Sequence, residues 1–132
     1  MDDFAPASEL LAAPDAVSRF RRFASATGKR ILEEESVFLV HHFDADGLSS
    51  GGVCTRALQE NGVSFRRLSV KKMDAGVVKA LSEAPEKCLL LCDLSTGFLK
   101  EISELARQGK TVAILDHHPP EDAELHENVS MV

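Results

Sequence analysis

The sequence predicts an open α/β fold, a parallel sheet of about four strands with helices on both faces. Short apolar runs alternate four times with segments of helical periodicity, the pattern of parallel strands joined by right-handed crossovers. Most of those runs (VFLV, CLLLC and TVAIL) are continuously apolar rather than alternating, as strands covered on both faces require. Three of them end in acidic or imidazole side chains, and ligands of such sheets bind beyond the carboxyl ends of the strands.

In chain order, residues 15–34 read as an amphipathic helix. Val17, Phe20, Phe23 and Ala24 recur at helical spacing with arginines between them, and Gly28 is a weak point. The run 37–40 is a strand that leads directly into His41-His42-Phe43-Asp44-Ala45-Asp46-Gly47. A helix over roughly 48–60 is stopped by Asn61-Gly62. Residues 64–70 give a second strand, and Asp74 is placed to cap a helix that carries Val77, Val78 and Leu81 and ends at Pro85. Residues 88–92 form the third strand, followed by Asp93; 98–108 form a helix closed by Gly109. The fourth strand, 111–115, runs into Asp116-His117-His118, which Pro119-Pro120 interrupts. The remainder reads as loop with one late apolar stretch. The expected organisation is thus an N-terminal helical segment, 1–36, and an α/β unit, 37–132.

With 132 residues, the chain holds one domain at most. Composition is that of a globular protein, 44% hydrophobic and 27% charged, with no apolar run long enough to span a bilayer and no basic, apolar start of a signal peptide. A cytoplasmic location is the default expectation. The net charge of −6 argues against a nucleic-acid coat protein but not against a nuclease, whose acids are neutralised by bound cations. Basic residues cluster at Arg19, Arg21, Arg22, Lys29 and Arg30 and again at Arg66, Arg67, Lys71 and Lys72, either of which could track a phosphate backbone or simply face solvent. The three cysteines lack a C-x-x-C spacing and read as buried reduced thiols. Neither G-x-G-x-x-G nor G-x-x-x-x-G-K-[ST] occurs, which argues against a nucleotide-binding Rossmann or P-loop protein.

The strand ends carry the chemistry. The first offers His42, Asp44 and Asp46, the third Asp93, and the fourth Asp116, His117 and His118. Taken singly, each has a bland reading: Asp46 as a helix cap, Asp93 as a cap, the paired histidines as a turn. Together they have the makings of a two-metal site, in which two divalent ions about 3.5–4 Å apart hold an attacking and a leaving oxygen. Such a site needs several carboxylates to balance the charge, one of them shared. Imidazole with carboxylate suits Mn2+ better than Ca2+. Gly47 allows a tight turn, and the helix after it aims its positive end at the site, where a phosphate is favoured.

His42-Phe43-Asp44-Ala45-Asp46-Gly47, Asp93 after an apolar strand, and Asp116-His117-His118 together resemble the three successive motifs of the DHH phosphoesterase superfamily. The form D-A-D-G followed by Leu48-Ser49-Ser50 is similar to its RecJ-like branch of single-strand exonucleases, the archaeal type in particular. The resemblance spans roughly residues 37–120. It implies two Mn2+ ions, with Mg2+ as an alternative: His42 and Asp44 on one, Asp46 and His117 on the other, and Asp93 bridging. It implies further that His118, Ser49 and Ser50 contact substrate phosphate, that Asp116 orients the neighbouring imidazoles, and that a water activated by the ions is the nucleophile. Asp46, Asp93, His117 and His118 would then be the catalytic set.

The family's fourth motif, a later metal-binding Asp, and its C-terminal substrate domain have no counterpart here. The expectation is therefore an N-terminal part of the DHH domain, with weak or absent activity on its own. The implied partner is single-stranded DNA or RNA, with a replication or repair protein as a further one and no membrane. Single-strand binders stack bases on aromatic side chains. This chain has no Trp or Tyr, and its seven Phe read mostly as core. Two other functions fit the same motifs: a phosphodiesterase of small molecules or very short oligonucleotides, and a non-catalytic scaffold of a replication complex.

Overall fold

The computed structural model describes residues 14–132 except Thr96. Its elements are α1 (Pro14–Leu32), β1 (Ser36–His42), α2 (Ala45–Glu60), β2 (Ser64–Val70), α3 (Ala75–Glu83), β3 (Cys88–Cys92), α4 (Leu99–Arg107), β4 (Thr111–Leu115) and β5 (Val129–Met131). The expected segment 1–36 is described only from its helix onward; residues 1–13 lie outside the described part.

The sheet is parallel throughout, in the order β2-β1-β3-β4-β5. The chain steps outward from β1 to β2, then crosses back to β3 on the other side of β1. The strand order therefore reverses between β1 and β3, and a crevice opens beyond their carboxyl ends. The register pairs His41 with Cys92 and Cys92 with Leu115, so β1, β3 and β4 end level. The residues just past these strands, 42–46, 93 and 116–118, are thereby delivered to one rim.

Alternate strand residues enter two cores, as the period of two requires. Phe38, Val40, Leu89, Leu91, Val112 and Ile114 pack under Leu81 of α3 and Leu99, Ile102 and Leu105 of α4. Val37, Leu39, Leu90, Cys92 and Ala113 pack under Ile31 of α1 and Leu58 of α2. Side-chain and glycine punctuation fixes the helix ends. Asp74 Oδ1 accepts from Val77 N at 3.0 Å, starting α3. Gly62 and Gly109 take positive φ, 68° and 102°, just after α2 and α4.

Four features depart from expectation. The late apolar stretch is a fifth strand, short enough to carry no periodicity; backbone bonds from Val112 N to Asn128 O and from Val132 N to Ile114 O hold it to β4. The helix expected over 98–108 runs from Leu99 to Arg107 and has no side-chain cap of its own at Phe98; Glu121 reaches back from the loop after Pro119-Pro120 and accepts from Leu99 N at 2.5 Å. β2 is an edge strand and largely exposed. Its Arg66 lies 4.1 Å from the Phe38 ring centre and forks onto buried Glu86 at 2.6 and 2.9 Å, which commits that guanidinium to the fold.

The fourth departure concerns the phenylalanines. Among the described ones only Phe38 is buried; Phe65 and Phe98 are partly covered, while Phe20, Phe23 and Phe43 are exposed. In α1, burial is confined to Thr27 and Ile31 near its C-terminal end, so the Phe20–Phe23 half of the apolar stripe has no core beneath it.

Candidate metal centre

The rim beyond β1 is shaped by backbone geometry. Asp44 caps α2, its Oδ1 accepting from Gly47 N at 2.9 Å, so the cap is Asp44 and not Asp46. A Cβ at Gly47 would lie 2.1 Å from His42 O, which makes glycine obligatory for this close turn. With Oδ1 spent on the cap, Asp44 turns Oδ2 to within 2.9 Å of His42 Nδ1. His42 Nε2 lies 2.9 Å from the Lys71 carbonyl, which can only accept. Nε2 therefore carries the proton, and Nδ1 presents a lone pair toward the carboxylates.

Asp93 follows β3 in the left-handed region, φ 58°, at a cost of about 1–2 kcal/mol for a non-glycine residue. Ser95, φ 117°, is strained as well. Two sparsely populated backbone conformations thus lie close together just past β3. The Asp93 carboxylate is buried, with 4% of its side chain exposed. Its Oδ1 lies 3.0 Å from His117 Nε2, and its Oδ2 is 3.6 Å from His42 Nδ1. After β4, Asp116 Oδ1 accepts from His118 Nδ1 at 2.6 Å and from His118 N at 3.2 Å. His117 Nε2 also stands 3.6 Å from Asp46 Oδ2, both side chains being largely exposed.

Two donor clusters result, and they share Asp93: His42 with Asp44 and Asp93, and Asp93 with Asp116, His117 and His118. Within each, one ligand atom per residue lies within 4.8 Å of the others. Among the described residues, His42 Nδ1 and Asp93 Oδ2 are buried without a hydrogen-bond partner. In that tautomer an imidazole lone pair faces carboxylate oxygens, an arrangement that a bound cation would satisfy. The donor set fits a divalent ion of the Mn2+ type.

The electrostatics agree. Burial, and then Asp44 beside it, push the Asp93 carboxyl above its usual range, while the Gly47 amide holds Asp44 below it. Asp116 draws the His118 imidazole upward. His42 also rises: burial, the largest single contribution, opposes the rise, but the Asp44 carboxylate and the Lys71 carbonyl beside it together outweigh it.

The expected residues are therefore brought together, with adjustments. Asp116 contacts His118, and it is itself within the second cluster. Asp46 stands at that cluster's edge. The Ser50 hydroxyl lies 2.8 and 3.2 Å from the Asp46 and Gly47 carbonyls and so points back into its own helix; Ser49 is exposed on α2. A groove of about 300 Å³ opens at the rim, lined by His42, Lys71, Lys72, Asp93, Phe98 and His118 among others. A larger depression of 440 Å³, lined by Phe38, Arg66, Arg67, Leu68 and Ala80, lies at the β2 edge and includes none of the strand-end donors. Sequence reasoning missed Phe43, which is 50% exposed between the two ligand candidates, its ring edge-on to His42 at 5.0 Å, and Leu48, 49% exposed one turn into α2. Their position within the motif was the available signal.

A profile of the DHH family, N-terminal domain, matches residues 36–132. The chain belongs to the DHH family. An uncharacterized protein of Methanocaldococcus jannaschii is 27% identical over 119 residues, 86% of this chain and 27% of that protein. The fold matches that of RecJ from Thermus thermophilus in complex with Mn2+, with TM-score 0.65 and 24% identity over 83% of this chain and 16% of RecJ. It also matches exonuclease RecJ bound to manganese, with TM-score 0.65 and 22% identity over 80% of this chain and 30% of that one. This DHH chain thus spans about a quarter of the curated relative and less than a third of either RecJ structure. Its superfamily is one of metal-dependent phosphoesterases.

Among the described residues, no helix is long and apolar enough to cross a membrane.

Proposed function

We propose that this DHH chain is the N-terminal part of a RecJ-like exonuclease and supplies most of a two-Mn2+ site for phosphodiester hydrolysis on single-stranded DNA or RNA. The observation that carries the reading is the sharing of Asp93 by two donor clusters 4.8 Å or less across. His42 and Asp44 would hold one ion, His117 and Asp46 the other, and Asp93, common to both clusters, would be shared between them. When bound, the ions lower the pKa of water and clamp attacking and leaving oxygens.

The chain's own residues do the rest. Lys71 O holds the His42 tautomer, and the α2 amino end aims its dipole at the rim. Asp116 fixes the His118 ring through Nδ1, leaving Nε2 to meet a substrate phosphate. Lys71 and Lys72 line the groove where a phosphate chain would run. Phe43 supplies a stacking face for a base, which favours a nucleic-acid substrate over a phosphodiester without bases. The organisation proposed is α1 as a helical lead-in, residues 37–132 as the first part of the DHH domain, and the fourth metal-binding Asp and a substrate domain in the remainder of a longer protein. A replication or repair partner would bind that assembly, in the cytoplasm.

The test is calorimetric titration of Mn2+ into wild type and Asp93→Ala, followed by hydrolysis of a long single strand against a dinucleotide. Binding by wild type alone, with preference for the long strand in a protein that includes the later motif, is the expected result. Binding by neither chain, with capture of a replication protein instead, would make it a scaffold. Preference for the dinucleotide would make it a phosphodiesterase of short substrates.

A further inference from the structure

Cys54 and Cys92 come together across the interface between α2 and β3, with their Sγ atoms 3.6 Å apart although they stand 38 positions apart in sequence. Cys92 is fully buried as the last residue of β3, and Cys54 is half-buried on the third turn of α2. The two sulfurs are not bonded to each other. The third cysteine, Cys88, is buried at the far end of β3, its thiol pushed up to about 12 by burial. From this geometry we infer that Cys54 and Cys92 form an oxidative modification site, a peroxide-sensitive thiol pair that closes to a disulfide directly behind the metal centre.

The reaction runs in two balanced steps. The Cys54 sulfur, the accessible one, attacks one oxygen of hydrogen peroxide; the O–O bond breaks, giving a sulfenic acid at Cys54 and one water. The Cys92 sulfur then attacks Sγ of Cys54, the S–O bond breaks, and the hydroxyl leaves with the Cys92 proton as a second water. Two thiols are oxidised by two electrons, and one peroxide is reduced to two waters. The contact with the Cys92 sulfur holds the Cys54 thiol below its ordinary value, which assists the first step.

The effect on the site depends on which element can move. Closing from 3.6 Å to a bond of about 2.0 Å requires the sulfurs to approach by about 1.5 Å. Helix α2 cannot simply sink toward the sheet, because at Gly51 its backbone already touches the His41 ring; a Cβ there would lie 2.6 Å from His41 Cδ2. The adjustment therefore falls on the end of β3. The residue after Cys92 is Asp93, already strained and the only one common to both clusters. The crosslink also ties the helix that begins at the Asp44 cap and carries Asp46 to the strand that delivers Asp93. Oxidation weakens Mn2+ binding; that effect, unlike the crosslink itself, rests on the proposed metal site.

The test treats the whole chain, free of Mn2+, with hydrogen peroxide and then removes the peroxide. Peptide mass spectrometry without reduction should find a Cys54–Cys92 crosslink and a free Cys88 thiol. Mn2+ titration of the oxidised chain should show affinity lowered at least threefold, restored by dithiothreitol. The Cys54→Ser chain, altered at the half-buried position, should fold, form no crosslink and keep its Mn2+ affinity after peroxide treatment. Absence of the crosslink, or a crosslink through Cys88, overturns the inference. A Cys54–Cys92 crosslink that leaves measurable Mn2+ affinity unchanged overturns its link to the site. Absence of Mn2+ binding in the reduced chain, with the crosslink formed, refutes the metal reading while leaving the thiol pair standing.

Discussion

Replacing Gly47 with Ala sets the close turn between β1 and α2 against the metal centre. An added Cβ would lie 2.1 Å from His42 O, 2.4 Å from His42 C and 2.6 Å from His42 Cβ. An unstrained carbon–oxygen approach is about 3.3 Å, so the helix start and the end of β1 must part by about 1 Å. The nearest atoms are backbone, so no side chain can swing aside to relieve the clash. Overpacking of this kind costs about 1–3 kcal/mol. Against it stands the gain of about 0.5–1 kcal/mol from removing a glycine within a helix. The internal control is Gly52, in the same helix, where an added Cβ meets nothing within 4 Å. Gly52→Ala should raise stability by about 0.5–1 kcal/mol, while Gly47→Ala lowers it by about 1–2 kcal/mol. Urea unfolding of both variants reads the difference directly. Because the same displacement moves Asp44 Oδ2 away from His42 Nδ1, Mn2+ affinity of Gly47→Ala should drop at least about tenfold, the scale seen when groups that orient ligands are lost. Equal urea midpoints for the two variants, or unchanged Mn2+ affinity in Gly47→Ala, would refute the reasoning.

Two further outcomes are expected. Phe43→Ala should leave Mn2+ affinity within about twofold and weaken single-stranded oligonucleotide binding by about fivefold or more, since one stacked base is worth about 1–3 kcal/mol; an unchanged oligonucleotide affinity by fluorescence anisotropy would remove Phe43 from the substrate path. Arg66→Met should lower the urea midpoint at neutral pH, because buried Glu86 loses both guanidinium contacts. Arg66 holds the Glu86 carboxyl below its ordinary range, so the pair's contribution is complete above the ordinary carboxylate pKa and fades as pH falls through the depressed value. The gap between wild type and variant should therefore narrow in acid; a gap that widens there contradicts the assignment.

The parts of this structure that could be read from sequence are those with a local signal. β2, β3 and β4 fall on the predicted residues because each is a strand-forming run closed by glycine, proline or a charged residue. The rim was legible because three strands deliver acidic and imidazole side chains at equivalent positions. The features that escaped depend on distant partners. β5 is three residues long and exists through its pairing with β4. Glu121 caps a helix 22 residues upstream. Phe20 and Phe43 have the pattern of core residues, and only the placement of the sheet decides that nothing covers them. The Cys54–Cys92 approach joins a helix to a strand through a fold that spacing alone does not reveal.

Asp93 allows one last argument, since it opposes stability to function. Its carboxylate is buried and faces Asp44, both of which disfavour the charged form without a cation, and its left-handed backbone adds strain of its own. A carboxyl raised above its usual range is one whose ionisation costs the folded state, so the metal-free chain should gain stability as pH falls toward the raised value. Asp93→Asn removes that charge while retaining an oxygen that can accept from His117. In chelator at neutral pH the variant should therefore unfold at a urea concentration equal to or above that of wild type. With Mn2+ at about 100 times the dissociation constant, linkage adds about 2.7 kcal/mol to wild type. The variant should gain almost nothing, so the order of stability reverses on adding metal. An Asp93→Asn chain less stable than wild type in chelator would show that this carboxylate serves the fold first, and the metal centre would have to be sought without it.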